Sequence, residues 1–371
     1  MNRLLLLLLC GCGTLAPVEL SQPVAHWSGY GGDVGRTHAV AAPLEAPVRL
    51  LWRRNLKAGL GPWSAPVIIG PYLGVCAQNG EFVLFRWADG RRVGARSFGR
   101  SLEASPATDG DRLYVPVAFG SVGLIAYELA SGRVRWRFGE ASVETPPLYH
   151  AGRLWLSTVR GGLRLLDPET GALLGSWDPQ RPTRSATGPV WTGAGVAYAT
   201  LDGGIYGFDE ACRLRWRQEL GEPIVGALAA RDGWVWAGTS RGLLVALCAE
   251  RGVLVWRQRL GPEPARIAFH LAVDERDLVV GIVGGPLWVL DPQTGRLRWR
   301  ASLAGGLSTP LLLGSSAIWA SGFGGELLAL DRQDGAVRFR LPLSGLASSA
   351  AYVASRLFVL TESGDVLAFG L

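Results

Sequence analysis

One glycine-flanked serine in this chain has the spacing of a catalytic nucleophile. The residues Gly238-Thr239-Ser240-Arg241-Gly242 match the G-x-S-x-G elbow, in which a strand-to-helix turn exposes a serine hydroxyl for attack on an acyl carbonyl. The residues on both sides of this segment predict strands, however, and glycine pairs stand at equivalent places at 161–162 and 324–325. We therefore interpret Ser240 as part of a hairpin and predict no enzyme activity from it.

Histidine and cysteine, the usual transition-metal ligands, are widely scattered along the chain after residue 12. None has a neighbour at the spacing of a zinc site; these residues are His26, His38, His150, His270, Cys76, Cys212 and Cys248. We therefore predict no metal and no cofactor, and interpret His270 as a packed or rim residue. A Cys212–Cys248 disulfide is one alternative in an oxidising compartment, although with three cysteines at least one stays unpaired.

The amino terminus predicts export. Met1-Asn2-Arg3 is a short basic region, and the six leucines at 4–9 are far fewer than the roughly 20 apolar residues that cross a bilayer. Small Gly11 before Cys12 resembles a bacterial lipobox, so we predict a signal peptide at 1–11 and lipidation of Cys12. An ordinary signal peptide with two incidental cysteines is the alternative. Residues 12–47 contain proline, a glycine cluster and no alternating apolar run, which predicts a tether.

From residue 48 onwards the chain repeats itself about every 41 residues. The clearest copies are 126–137 and 289–300, and in each an aromatic residue stands four positions after a turn glycine. We interpret these aromatic anchors as structural residues that dock one repeat on the next; they are Trp52, Trp136, Trp216, Trp256, Trp299 and Phe339. Two copies have Gly94 or Gly175 instead, and Trp177 is a candidate substitute in the second.

Each repeat predicts four short strands, because alternating apolar runs are separated by glycine-containing hairpins. The first copy is an isolated aromatic strand, and the last copy ends where its own aromatic strand should begin. We therefore predict an all-β, eight-bladed β-propeller of four-stranded antiparallel blades over 48–371. The N-terminal strand should complete the last blade and close the ring.

The composition agrees with such a fold. Among 371 residues there are 51 glycines, 48% of residues are hydrophobic and only 18% are charged, which supports a packed core and excludes global disorder. The net charge of +6 comes largely from arginines that follow the anchors, at Arg53, Arg137, Arg217, Arg257, Arg300 and Arg340. Charge on an outer strand discourages edge-to-edge aggregation. Because it is distributed around the ring, we predict no nucleic-acid surface.

The Asp-x-x-Thr-Gly-x-x-x-Trp pattern resembles the repeat of PQQ-type quinoprotein propellers, and His26 to Thr37 resembles the lead-in to many of them. Within that superfamily, a lipoprotein of this length with eight short blades is similar to the BamB family of the outer-membrane β-barrel assembly complex. The resemblance implies a non-catalytic scaffold, lipid-anchored at the periplasmic face of the outer membrane, that binds the POTRA domains of BamA.

The same resemblance implies where the partner binds. The family's contacts lie in the loops after the fourth and fifth anchor strands, here about 178–188 and 221–226. Arg184, five residues before Pro189, matches the family's contact arginine, whereas Arg181 and Thr183 stand where the family has apolar residues. The predicted partner-binding residues are Arg181, Thr183, Arg184, Ser185, Glu222 and Ile224.

Two other functions remain open at this point. A PQQ-dependent dehydrogenase shares the repeat, but such enzymes are much longer and carry a vicinal cysteine pair that the mature chain lacks. An envelope binding or sensor propeller with another protein or polysaccharide partner also shares it, because a fold does not determine a function.

Overall fold

The structure is a computed structural model. It describes residues 15, 17–18, 27–44, 49–139, 142–261, 269–303, 306–308 and 312–370. The predicted signal peptide and lipidated Cys12 lie outside the described residues. Within these ranges the regular structure is all β, and no helix is long and apolar enough to span a membrane.

The described residues form eight four-stranded antiparallel sheets arranged as blades, which confirms the predicted eight-bladed β-propeller. The chain begins with β1 (Arg49–Asn55). Blade 1 contains β2 (Val67–Ile69), β3 (Tyr72–Cys76), β4 (Glu81–Arg86) and β5 (Arg92–Ser97). Blade 2 contains β6 (Ala107–Thr108), β7 (Arg112–Pro116), β8 (Leu124–Glu128) and β9 (Arg133–Phe138). Blade 3 contains β10 (Leu148–His150), β11 (Arg153–Ser157), β12 (Leu163–Leu166) and β13 (Leu173–Trp177).

The remaining blades repeat this order. Blade 4 contains β14 (Val190–Trp191), β15 (Val196–Ala199), β16 (Gly204–Phe208) and β17 (Leu214–Glu219). Blade 5 contains β18 (Ile224–Arg231), β19 (Trp234–Thr239), β20 (Leu243–Cys248) and β21 (Leu254–Arg259). Blade 6 contains β22 (Phe269–Val273), β23 (Leu278–Ile282), β24 (Leu287–Leu290) and β25 (Leu297–Ala301). Blade 7 contains β26 (Leu312–Leu313), β27 (Ala317–Gly322), β28 (Glu326–Asp331) and β29 (Val337–Pro342). Blade 8 contains β30 (Ala347–Val353), β31 (Arg356–Thr361) and β32 (Asp365–Gly370), with β1 as its fourth strand.

In blades 3, 4, 6 and 7 the turn before the outer strand is fixed by an aspartate that opens it. In blade 6, Asp291 Oδ1 accepts hydrogen bonds from the backbone N–H of Gln293 at 3.1 Å and Thr294 at 2.9 Å, and from the Thr294 hydroxyl at 2.9 Å. Gly295 then adopts a φ of 70°, a left-handed conformation that glycine adopts without strain. This turn aims the following outer strand, and with it the anchor Trp299, at the next blade.

Five anchor indoles lie against the turn glycine of the following blade. A Cβ atom built on any of these glycines would lie 2.4–2.8 Å from the indole; the pairs are Trp52–Gly90, Trp136–Gly171, Trp216–Gly252, Trp256–Gly295 and Trp299–Gly335. Each indole Nε1–H also donates to the carbonyl of the residue three positions before that glycine, at 2.7–3.1 Å. The glycine is therefore required by close packing as well as by its φ angle. Phe339 packs beside Trp319, with ring centroids 6.3 Å apart.

The ring closes as predicted, because β1 pairs with β32 in an antiparallel register from Arg49–Gly370 to Asn55–Asp365. Asp365, which is 2% exposed, holds this closure. Its carboxylate accepts two hydrogen bonds from Arg53, at 3.1 and 2.8 Å, one from Asn55 at 2.9 Å and one from Ser344 at 2.7 Å. Burial alone would raise the pKa of Asp365, but these donors hold it below its ordinary value.

The segment 27–44 differs from the predicted tether, because it packs inside the ring. Trp27 and Leu44 are each 1% exposed. Carbonyls of Trp27, Val34, Gly35, Thr37 and His38 accept hydrogen bonds from the first strands of blades 1, 4, 5, 6 and 7 at 2.8–3.0 Å. These strands border the central channel, and the segment satisfies N–H groups on their free edge. Its backbone is irregular, with positive φ at Arg36 and His38. The segment therefore has no alternating pattern of apolar residues from which its packing could be predicted.

We expect Trp299→Ala to lower the free energy of unfolding by about 3–5 kcal/mol, because it empties the space between blades 6 and 7. Urea unfolding measures the loss. Leu297→Ala on the same strand is the matched control, since Leu297 is 40% exposed and its truncation should cost far less. Equal midpoints for Trp299→Ala and the wild type would contradict a docking role for the indole.

Ring closure should also depend on pH through Asp365. Because folding lowers the pKa of Asp365, its stabilisation is present above the ordinary pKa of 3.8 and is lost as the pH falls through the folded-state value. We expect Asp365→Asn to reduce the free energy of unfolding by about 2 kcal/mol at neutral pH. The difference from the wild type should narrow in acid, as measured by urea unfolding at pH 7 and pH 3. A difference that stays constant between these pH values would refute the assignment.

Candidate functional site

The antiparallel order of each blade sorts its connections onto two faces. Connections between blades and the hairpins between second and third strands share one face, which we call the loop face. Hairpins between first and second strands, and turns between third and fourth strands, share the opposite turn face. The two predicted partner-binding segments lie on the loop face: the first is between β13 and β14, and the second runs from the β17–β18 connection into the start of β18.

Two arginines of the first segment are exposed. Arg184 is 61% exposed along its side chain, and its Nη2 pairs with Glu144 Oε2 at 2.9 Å. Its carbonyl accepts a hydrogen bond from the N–H of Leu201 at 2.9 Å, so the backbone is fixed although the side chain reaches solvent. Arg181 is also exposed. Both guanidinium groups are therefore accessible to a partner.

The other residues of this segment hold the loop in place. Ser185 Oγ donates to the carbonyl of Thr158 at 2.6 Å and lies 2.9 Å from the Tyr198 hydroxyl. Thr183 packs on the hairpin of blade 3, where a Cβ atom on Gly161 would lie 2.7 Å from its methyl group. Their neighbours lie within the ring, so these two side chains support the loop.

The second segment places one predicted residue inside the protein. Ile224 is 0% exposed and packs in the apolar cluster between blades 4 and 5, so its side chain is not available to a partner. The prediction fails because β18 begins at Ile224 and directs this side chain inward. Val225, the next residue, is 37% exposed and is the one on the surface.

Glu222 is partly buried and already has internal partners. Its Oε2 accepts a hydrogen bond from the Thr239 hydroxyl at 2.6 Å, and its Oε1 accepts one from Arg259 at 2.8 Å. Burial alone would raise the pKa of Glu222, but these two hydrogen bonds hold it below its ordinary value. The carboxylate is therefore ionised at neutral pH and oriented toward blade 5.

The hairpin of blade 4 brings the two segments together. The N–H of Leu201 donates to the carbonyl of Arg184 at 2.9 Å on one side, and a Cβ atom on Gly203 would lie 2.4 Å from the carbonyl oxygen of Glu222 on the other. The result is one continuous surface across blades 3, 4 and 5. We call it the docking surface and define it by Arg181, Arg184, Asp202, Glu222 and Val225.

A groove beside Arg181 was not found from the sequence. It has a volume of about 360 Å³ and is lined by residues that include Trp177, Tyr206, Leu214 and Arg217. The Trp177 and Tyr206 ring centroids lie 4.6 Å apart, so Trp177 packs against the next blade as a substitute anchor would. The partly buried Trp177 ring, with Arg181 beside it, suits a side chain of a protein partner.

The residues with potential chemistry lie apart from one another. Ser240 follows β19 in the hairpin that leads to β20, where its N–H donates to the carbonyl of Pro223 at 2.6 Å. Cys76, Cys212 and Cys248 are free thiols, so the alternative disulfide is not formed. Within the described ranges, no three His, Cys, Asp or Glu side chains are grouped to hold a metal.

The central channel contains a small cavity of about 30 Å³, lined by residues that include Tyr30, Arg36, His38, Trp63 and His270. Tyr30 packs edge-on against His38 and Trp63, with centroids 5.2 and 5.3 Å apart, so its ring fills part of the channel. Pockets for drug-sized ligands have volumes of roughly 300–1,000 Å³. The described residues of the channel therefore do not fit a tricyclic quinone.

Comparison with known proteins identifies relatives of the whole ring. A family model described as outer membrane protein assembly factor BamB matches residues 49–223, 159–309 and 289–370. The BamB of Bordetella pertussis (strain Tohama I) is 26% identical over 153 residues, which cover 41% of this chain and 39% of that relative. The match to this curated relative thus spans well under two thirds of its length.

Solved structures share the fold at low identity. The crystal structure of BamB from Moraxella catarrhalis superposes with a TM-score of 0.71 at 17% identity, covering 88% of this chain and 100% of that one. Quinohemoprotein alcohol dehydrogenase from Comamonas testosteroni superposes with a TM-score of 0.74 at 13% identity, covering 94% of this chain and 81% of that one. At these identities the superpositions show the fold alone. The family model, which spans nearly all of the described ring, shows that this chain belongs to the family of the outer membrane protein assembly factor BamB.

Proposed function

We propose that this protein is a non-catalytic scaffold of outer-membrane β-barrel assembly that binds the POTRA domains of a BamA-like protein through the docking surface. One observation carries the proposal: the two loops expected to contact BamA converge on one surface of the loop face, with Arg181, Arg184 and Val225 exposed. Family membership supports the assembly role.

The exposed arginines suit recognition of an acidic partner. A guanidinium group presents a planar fork of donors that matches a carboxylate. The internal Arg184–Glu144 pair is exposed on the arginine side, and such surface pairs contribute only about 0–1 kcal/mol. A partner carboxylate can therefore compete for Arg184 at little cost, while the aromatic groove beside Arg181 receives an apolar side chain.

The proposed place of action is the periplasmic face of the outer membrane. The predicted export signal and lipidation of Cys12 support this location, and the family description supports the envelope. Within the predicted tether, Leu15 and Val18 are buried on blades 1 and 2, where their N–H groups donate to the carbonyls of Ala95 at 2.8 Å and Leu129 at 3.1 Å, and 27–44 belong to the ring itself. The reach of the anchored domain is correspondingly shorter than a tether of 12–47 would give.

A second candidate is an envelope binding or sensor propeller with a different protein or polysaccharide partner. It is favoured by the internal positions of Ser185, Glu222 and Ile224, which leave only part of the expected BamA contact set accessible. A dehydrogenase has less support, since the channel does not fit a quinone, although the fold is shared with one.

We expect the double substitution Arg181→Glu and Arg184→Glu to weaken binding to the periplasmic domains of BamA at least tenfold, or about 1.4 kcal/mol. Arg251→Glu changes another exposed arginine, in a turn on the turn face, and should leave the affinity unchanged. Isothermal titration calorimetry with the lipid-free mature chains measures both affinities. Thermal unfolding of each variant checks that the ring is intact.

Affinity purification from membranes in gentle detergent separates the two candidates. Recovery of BamA with the wild type and its loss with the double variant supports the assembly role. Recovery of another envelope component without BamA supports the second candidate. Unchanged BamA binding by the double variant would show that the docking surface is in the wrong place.

A further inference from the structure

Among the residues that the structure describes, two arginines are deeply buried, and only one of them has a counter-charge. Arg332 is 4% exposed. It donates to Asp277 at 2.6 Å, to Asp274 at 2.7 Å and to the carbonyl of Gly314 at 2.9 Å. This arrangement is what a buried guanidinium requires, since a buried charge needs both opposite charge and hydrogen-bond partners.

Arg36 is 5% exposed but has no such counter-charge. Its Nη2 donates to the carbonyl of Pro146 at 2.7 Å, and its guanidinium carbon lies 5.8 Å from the centre of the Tyr30 ring. No carboxylate in the described part of the chain forms an ion pair with it. Burial lowers the pKa of Arg36 to about 10, so it still carries its charge at neutral pH.

The cavity beside Arg36 also contains hydroxyl groups without partners. Among the described residues, six buried side-chain polar atoms have no hydrogen bond, and three of them belong to residues that line this one cavity: Thr187, Ser348 and Ser349. Thr187 is 1% exposed and Ser349 is 4% exposed. Since unsatisfied buried polar groups are rare in folded proteins, their concentration at one place shows that this cavity offers free hydrogen-bonding groups to an occupant.

The remaining polar groups of the cavity are neutral. Burial lowers the pKa of His38 to about 3 and that of His270 to about 4, and it raises the pKa of Tyr30 to about 12. Arg36 is thus the charged group among the described residues that line the cavity. The site therefore carries one positive charge and several hydroxyl donors.

We propose that this cavity is a binding site for a small oxyanion, in which Arg36 supplies the charge and Thr187, Ser348 and Ser349 supply hydroxyl donors. A volume of about 30 Å³ holds roughly two waters, at about 10–15 Å³ each. The occupant is therefore small, and the positive charge of Arg36 favours an oxyanion, either a carboxylate or a phosphate-type anion. The site is independent of the docking surface and of the function proposed for it.

The local backbone gives the guanidinium a fixed position. A Cβ atom on Gly188 would lie 2.3 Å from Arg36 Nη2 and 2.3 Å from the carbonyl oxygen of Pro146. Only glycine at 188 therefore leaves room for the arginine and its carbonyl acceptor together. Because Thr187 is the adjacent residue, the same stretch of chain both seats the guanidinium and places a hydroxyl in the cavity.

The test is the thermal stability of the lipid-free mature chain in acetate, phosphate or sulfate, against sodium chloride at equal ionic strength. A ligand that binds only the folded state raises the melting temperature in a concentration-dependent way. We expect at least one of these oxyanions to do so with the wild type. A best response to acetate identifies a planar carboxylate site, and a best response to phosphate or sulfate identifies a tetrahedral one.

Substitutions of the lining residues test whether the stabilisation by oxyanions arises at this cavity. We expect Arg36→Met to abolish the response, and Thr187→Val and Ser349→Ala each to weaken the affinity at least fivefold by calorimetry. Ser131→Ala is the matched control, because Ser131 is another hydroxyl without a partner but lies outside the cavity. If Arg36→Met does not fold, the affinities of Thr187→Val and Ser349→Ala test whether the anion binds in this cavity. No response of the wild type to any of the three anions, or unchanged affinity in both hydroxyl variants, would overturn the proposal.

Discussion

The contact between an outer-strand indole and the turn glycine of the next blade is the interaction on which this molecule depends. Each blade is a four-stranded sheet that is apolar on both faces, so it must be covered by a neighbour on each side. The ring satisfies this requirement only if it closes. Trp52 makes the closing contact, because it lies on β1, completes blade 8 and packs on Gly90 of blade 1. One strand therefore finishes the last sheet and joins it to the first.

A closed ring leaves two kinds of surface available for function. Its loop face can vary without disturbing the sheets, which is why partner recognition is placed on loops over a rigid scaffold. Its channel is bordered by the first strands of the blades, and the segment 27–44 covers part of that edge. The same segment contributes Tyr30, Arg36 and His38 to the channel cavity. The docking surface and the cavity thus arise from different parts of one architecture.

The repeat made the blades, their number and the closure by β1 predictable, because turn glycines and anchors are local signals that recur at a fixed interval. Three features could not be predicted, and each depends on contacts distant in sequence. The segment 27–44 packs through irregular backbone, which has no periodicity. Ile224 is buried because of where β18 begins, a boundary that the sequence does not mark. Arg36 donates to the carbonyl of Pro146 and lines one cavity with Ser349, although these residues are far apart in the sequence.

The central claim is that the ring serves as a scaffold whose loop face, across blades 3 to 5, contacts BamA. Hydrogen–deuterium exchange of the mature chain, with and without the periplasmic domains of BamA, tests it most directly. The account predicts slower exchange on binding in peptides that contain 178–188 and 220–226, with no change in the turns at 249–253 and 291–296 on the turn face. Protection confined to the turn face, or protection that leaves both loop segments unchanged, would contradict it.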